Sequence, residues 1–206
     1  LFDWEDLDDL RVDGDTGALV VADSTRVLVE NAIFTDAAKS EIAHVLAAGS
    51  PSLQVGDKVR AEIDWSPRYG RMKIHTALHL LSVVLPYPIT GASVGNADGR
   101  ADFNIPDAGH DKEAIAAKIA AMIATDAAVS SRWISDAELE ANPGLIKSMS
   151  VKPPMGTGKV RLIEIAGLDL QPCGGTHVRS VGEIGVIKVT QIEKKGKQNR
   201  RVRIAL

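Results

Sequence analysis

Four residues of this chain carry metal-donor atoms at spacings that suit a single ion. His75 and His79 stand four apart in Ile74-His75-Thr76-Ala77-Leu78-His79-Leu80-Leu81, an apolar run without glycine or proline, so they share one face of a helix. Cys173 and His177 repeat the interval in Gln171-Pro172-Cys173-Gly174-Gly175-Thr176-His177, where the two glycines predict a tight turn. Two imidazoles from a helix, joined by a thiolate and an imidazole from a turn, have the types and number of a tetrahedral zinc site. Such a site holds its nitrogen and sulfur donors at about 2.0 to 2.3 Å. Each pair alone is weak, because an HxxxH pair is often one buried and one exposed histidine. Together with the chain's single cysteine they favour a shared ion, and borderline-soft N/S donors favour zinc. Thr76 occupies the position where HExxH carries its glutamate base, which excludes a zincin protease.

The elements that must position these donors are legible in outline. From Leu1 to about Trp65, short apolar runs at Ala18–Ala22, Arg26–Val29, Ile42–Leu46 and Lys58–Ile63 read as strands of a small barrel-like unit. Asp64-Trp65-Ser66-Pro67-Arg68-Tyr69-Gly70 reads as a link, so residues 1–66 form one expected domain and residues 67–206 another. A helix over about Tyr69–Leu85 carries the histidine pair and is stopped by Pro86 and Pro88. Thr90–Asp98, rich in glycine and small polar residues, reads as a loop close to a ligand or as a plain hairpin connection. Arg100–Ile105, Val129–Ile134, Val160–Ile165 and Val186–Ile192 read as strands. Asp111–Thr125 is an amphipathic helix with Asp111 as N-cap and Ile115, Ile119, Met122 and Ile123 on its buried face. Ser135–Glu138 opens a short helix, and Lys152–Lys159 is a turn-rich loop without phosphate-loop spacing. Helices interrupting a mostly antiparallel sheet make the expected fold class α+β.

Bulk properties limit the partners. At 206 residues and 45% hydrophobic the chain can bury a sizeable core, and a net charge of -3 argues against a generic polyanion binder. One cysteine forbids an internal disulfide, and a reduced thiolate ligand suits a cytoplasmic location. No long uninterrupted apolar stretch or signal-peptide pattern supports a membrane span or secretion. The first residue is Leu1, so the numbering can begin inside a longer gene product. The C-terminal end is locally basic: Lys188, Lys194, Lys195, Lys197, Arg200, Arg201 and Arg203 are opposed in sequence only by Glu193. By itself that run is a solvated face. Beside a metal pocket it reads as a footprint for RNA phosphates, with Lys194, Lys195, Lys197, Arg200 and Arg201 as contacts.

The segments HTALHLL, QPCGGTHV, GEIGVIKV and KGKQNRRVRIAL resemble the editing domain of alanyl-tRNA synthetase, and more closely the free-standing AlaX proteins. The resemblance runs from about Val55 to Leu206. It implies a zinc-dependent deacylase that removes serine or glycine wrongly attached to the tRNA for alanine, with His75, His79, Cys173 and His177 as metal ligands. It also implies a barrel-like N-terminal domain. Thr76 matches the threonine implicated in recognising the serine hydroxyl, and Ser93 falls in a region that lines the family's pocket. One departure is the segment before Gly14-Asp15-Thr16-Gly17, where Leu10-Arg11-Val12-Asp13 replaces a glycine-rich FxxxGGGQ-like stretch.

A site that offers a partner to the serine hydroxyl rejects alanine by leaving that partner unpaired. On this expectation Thr76→Val weakens seryl ester hydrolysis with zinc content intact. The alternative is a helix threonine bonded back to its own backbone. No general base stands out: Asp102 and Asp169 are candidates only through their nearness to the motif segments, and surface carboxylates are the preferred reading of each. Three functions remain open: a trans-acting aminoacyl-tRNA deacylase, a zinc-stabilised RNA-binding module without catalysis, and a zinc hydrolase of a small ester or amide. A full synthetase is excluded by size.

Overall fold

The computed structural model describes residues 14–21, 24–35, 41–106, 109–149 and 158–206. The Leu10–Asp13 segment and most of the Lys152–Lys159 loop lie outside the described residues. The chain forms two compact units that divide after Arg68. In order, the strands and helices are β1 (Gly17–Val21), β2 (Arg26–Phe34), β3 (Ile42–Leu46), β4 (Val59–Ile63), α1 (Trp65–Val84), β5 (Ile89–Val94), β6 (Asp98–Asn104), α2 (Lys112–Ile123), β7 (Val129–Ile134), α3 (Asp136–Ala141), β8 (Val160–Ile165), β9 (Asp169–Pro172), β10 (Lys188–Lys194) and β11 (Asn199–Ala205). The fold class is α+β, with antiparallel sheets.

The first unit is a four-stranded sheet in the order β3-β2-β1-β4, with Leu19 opposite Val27 and Ala61. Ala18, Val27 and Val29 are its buried apolar residues. Among the described residues nothing pairs β3 with β4, so the sheet does not close into the expected barrel. Four strands, of which both edges have only five residues, are too few to wrap around an interior.

In the second unit, an antiparallel sheet runs β10-β11-β6-β5. One face of this sheet presents Ala101 and Phe103 of β6 and Val202 and Ile204 of β11 to Ile74, Ala77, Leu78 and Leu81 of α1 and to Ile115 and Ile119 of α2. Full burial of one such aliphatic side chain contributes about 1.5 to 3 kcal/mol. Gly99 permits the close approach of α1, since a Cβ there would lie 2.5 Å from Ile74 Cγ2. Asp111 caps α2, its Oδ1 accepting from the backbone N–H groups of Glu113 (2.8 Å) and Ala114 (3.0 Å). A second sheet, β7-β8-β9, carries Ile134, Val160 and Leu162 against Leu139 of α3 and sends Ile165 into the main core.

Thr90–Asp98 is mostly not a loop. Strand β5 pairs with β6 through Ala92↔Ala101 and Ser93↔Arg100, leaving only residues 95–97 as the connection. Cross-strand bonding overrides the weak strand preference of glycine and small polar residues. Asp102 and Asp169 are not surface carboxylates either, being 7% and 8% exposed. Arg201 of β11 joins the neighbouring Arg100 on Asp102, and His79 and Lys147 reach Asp169 from distant segments, contacts that distance along the chain conceals.

Candidate metal centre

Helix α1 has a broad apolar face. Ile74, Ala77, Leu78 and Leu81 point into the core, so His75 and His79 project along the neighbouring stripe. Opposite them, the chain leaves β9 at Pro172 and turns through Cys173–His177. The donor atoms of His75, His79, Cys173 and His177 all lie within 4.8 Å of one another. Cys173 Sγ is 3.4 Å from both His75 Nε2 and His177 Nε2. Donors at zinc bond lengths on the corners of a tetrahedron have sulfur–nitrogen edges of about 3.5 Å. The residues therefore fit a metal ion in type and number, and at the two sulfur edges in separation.

Local structure fixes each ring. Gly175 lies flat against His75: a Cβ there would sit 2.3 Å from His75 Cε1 and 2.6 Å from its Nδ1. That close approach accounts for the second glycine of the turn. Arg161, from β8, donates to the Gly175 carbonyl (2.6 Å) and lies 3.4 Å from the Cys173 carbonyl, tying the turn to the sheet. Thr76 Oγ1 donates to the Met72 carbonyl (2.9 Å), the back-bond weighed as its alternative role, and also lies 3.1 Å from His177 Nδ1.

His79 is supported by a buried polar group. Its Nδ1 is 3.2 Å from Asp169 Oδ2, and Gln171 Nε2 donates to the same carboxylate oxygen at 2.6 Å. Lys147 Nζ donates to the other oxygen, Oδ1, and to Ser82 Oγ at 3.2 Å. Ser82 Oγ in turn donates to the His79 carbonyl (2.7 Å). Gln171 Nε2 also lies 3.0 Å from His79 Nδ1. A metal held at Nε2 would leave the proton on Nδ1, where it would donate to Asp169, the usual carboxylate support of a ligating histidine.

The electrostatics favour ligand-competent forms. Burial, reinforced by the neighbouring His75, His79 and Arg161, pushes His177 well below its ordinary value and keeps it neutral. Burial raises the Cys173 thiol, but His75, the Gly175 N–H and Arg161 outweigh it and lower it overall, towards thiolate. Burial also raises Asp169, yet His79 and Lys147 bring it down to about 2.

Other expected site residues fall elsewhere. Ser93 pairs with Arg100, between Gly99 and Ala101 that face α1, so its side chain points to the opposite face of the sheet. The structure does not bring Ser93 to the histidines. Lys194 and Lys197 are exposed on the β10–β11 hairpin, and Lys195 pairs with Glu193 at 2.8 Å. Arg200 is 8% exposed and within 3.4 Å of the Gly196 and Asn199 carbonyls. Arg201 is committed to Asp102 through two 2.8 Å bonds, so Glu193 is not the sole acid opposing the basic run. Arg161 and Lys147 carry no signal in sequence. Asp169 and Gln171 had one, since alternation along β9 puts both on one face.

The sequence relatives decide the family. A family model described as "Threonyl and Alanyl tRNA synthetase second additional domain" matches residues 160–203, which include Cys173 and His177. The alanyl-tRNA editing protein AlaX-M of Methanosarcina mazei is 33% identical over 183 residues, covering 84% of this chain and 73% of that protein. The chain belongs to the AlaX family. AlaX-M of Methanosarcina acetivorans is 35% identical over 171 residues, 81% of this chain and 70% of that protein. AlaX-M of Saccharolobus solfataricus is 32% identical over 196 residues, 93% of this chain and 80% of that protein. Within this AlaX chain, the family model reaches the cysteine turn but stops short of the helix histidines, which the fold supplies from α1.

Proposed function

We propose that this protein is a trans-acting editing hydrolase that binds zinc through His75, His79, Cys173 and His177 and deacylates tRNA-Ala mischarged with serine or glycine. The observation that carries the reading is the convergence of four N/S donors within 4.8 Å in a chain of the AlaX family. Relatives bear the name alanyl-tRNA editing protein, and removing a wrong amino acid from its tRNA is ester hydrolysis. When bound, zinc supplies Lewis acidity and lowers the pKa of water toward about 7.

The chain's own residues do the rest. Asp169 and Gln171 hold the His79 ring, Gly175 gives the His75 ring its bed, and Arg161 keeps the turn in place while favouring the thiolate. Lys194 and Lys197, unburdened by ion pairs among the described residues, extend toward phosphates, with Lys195 beside them. Arg200 and Arg201 serve chiefly to hold the hairpin that presents these lysines. A thiolate ligand suits the reducing cytoplasm, and none of the described helices is long and apolar enough to cross a membrane.

A second reading has one observation in its favour. Four protein ligands fill a tetrahedron, as in structural zinc sites, whereas catalytic sites keep a position open. The protein would then bind charged tRNA without turnover. Hydrolysis of seryl-tRNA-Ala before and after chelation, and after zinc is restored to refolding-competent protein, separates the two. Loss and recovery of turnover with zinc supports editing. Turnover absent throughout, with tRNA binding that follows zinc content, supports the RNA-binding module.

A further inference from the structure

We infer that Thr76 is a positioning residue for His177, with no capacity left in its hydroxyl to read the side chain of a substrate. The inference rests on the reading of His177 as a zinc ligand through Nε2. A threonine hydroxyl offers one proton and two acceptor lone pairs. The proton goes to the Met72 carbonyl at 2.9 Å, one turn back in α1. One lone pair accepts the Val178 backbone N–H at 3.3 Å. The other faces His177 Nδ1 at 3.1 Å.

Since His177 Nε2 is turned to Cys173 and the cluster, its Nδ1 carries the proton and donates to Thr76. Thr76 is fully buried, and all three positions around its oxygen are taken by groups of this chain. Reading a serine hydroxyl would require breaking one of these bonds inside the core. The bond to His177 orients a ligand, and the bond to Val178 fixes the backbone immediately after it. Thr76 thus does for His177 what Asp169 does for His79: helix and turn are locked in mutual register by an outer partner on each ring. The Cβ methyl keeps the hydroxyl on its rotamer, and serine can make the same three bonds.

The test compares wild type, Thr76→Val and Thr76→Ser by zinc competition against a chromophoric chelator, and by initial rates on seryl-tRNA-Ala and alanyl-tRNA-Ala. Thr76→Val is expected to weaken zinc binding about 10- to 100-fold, with Thr76→Ser restoring it to within a few fold. At saturating zinc, the ratio of seryl to alanyl hydrolysis stays that of wild type. An unchanged zinc affinity in Thr76→Val together with a collapsed seryl/alanyl ratio overturns the inference and makes Thr76 the selectivity residue. Nitrogen-15 NMR of the zinc-loaded wild type gives a reading independent of how the valine variant folds. A His177 ring protonated at Nδ1 is expected, and protonation at Nε2 overturns the inference. Wild type that takes up no zinc refutes the ligand reading itself, and this inference with it, before any variant is compared.

Discussion

Asp169→Asn alters one proton-accepting group and leaves the shape of the site unchanged. The carboxylate divides its oxygens, Oδ2 towards His79 Nδ1 and Gln171, Oδ1 towards Lys147. All of these neighbours approach with donors. An asparagine has a single acceptor oxygen, so its amide NH2 must face either the imidazole N–H or the ammonium. With only 2% of the Asp169 side chain exposed, water cannot repair the mismatch. If the amide oxygen stays with Lys147, His79 loses its outer partner, and zinc affinity falls about 10- to 100-fold, or about 1.4 to 2.8 kcal/mol. If it turns to His79, the ammonium loses its counter-ion. Lys147 is 26% exposed, which limits that cost to about 2 kcal/mol of folding stability. Zinc competition and urea unfolding of the metal-free protein together register either outcome. Affinity within twofold of wild type, with an unchanged unfolding midpoint, would refute the claim that the buried carboxylate orients His79.

Two further predictions concern parts of the fold away from the candidate metal centre. Tyr69 donates to Glu183 Oε2 at 2.6 Å, and this bond, ahead of the Arg179 and Ser180 N–H groups, holds the Glu183 carboxyl below its ordinary value against a smaller opposing effect of burial. A depressed folded-state pKa adds stability above the unfolded carboxylate value, about 4.3, which is lost as pH falls through the lower folded value. Tyr69→Phe therefore costs about 1 kcal/mol at pH 7, and the gap to wild type in urea unfolding narrows below about pH 4; a gap independent of pH contradicts the assignment. Replacing Lys194 and Lys197 by alanine should flatten the dependence of log tRNA affinity on log salt by about 0.7 to 0.9 per lysine, whereas an unchanged slope removes the hairpin from the RNA surface.

The sequence carried the metal set because its donors sit in short periodic segments: four-residue spacing on a helix, and the same spacing across two glycines. The strands of the first unit, β6, β7, β8 and β10 of the second, and the capped helix α2 were readable for the same reason, local pattern agreeing with final structure, whereas β5, β9 and β11 were not read as strands. What escaped depended on distance along the chain. Lys147 reaches Asp169 and Ser82 from a segment with no periodic signal, and Arg161 meets the cysteine turn only because β8 pairs with β9. Asp102 lies in a strand whose alternation suggested solvent, but β11 brings Arg201 across to cover it. Ser93 was placed by its neighbourhood in sequence, and the parity of the β5–β6 register turned it to the far face. The expected barrel came from strand spacing and from the resemblance; spacing fixes how many strands form and not whether the two edge strands, here β3 and β4, meet.

The most direct test of the account is hydrolysis of seryl-tRNA and alanyl-tRNA, both on tRNA-Ala, by wild-type protein of measured zinc content, beside a folded His79→Ala variant. The account predicts rapid release of serine with alanine spared, lost in the variant along with zinc. Charged tRNA that survives intact while bound to zinc-loaded wild type would contradict it.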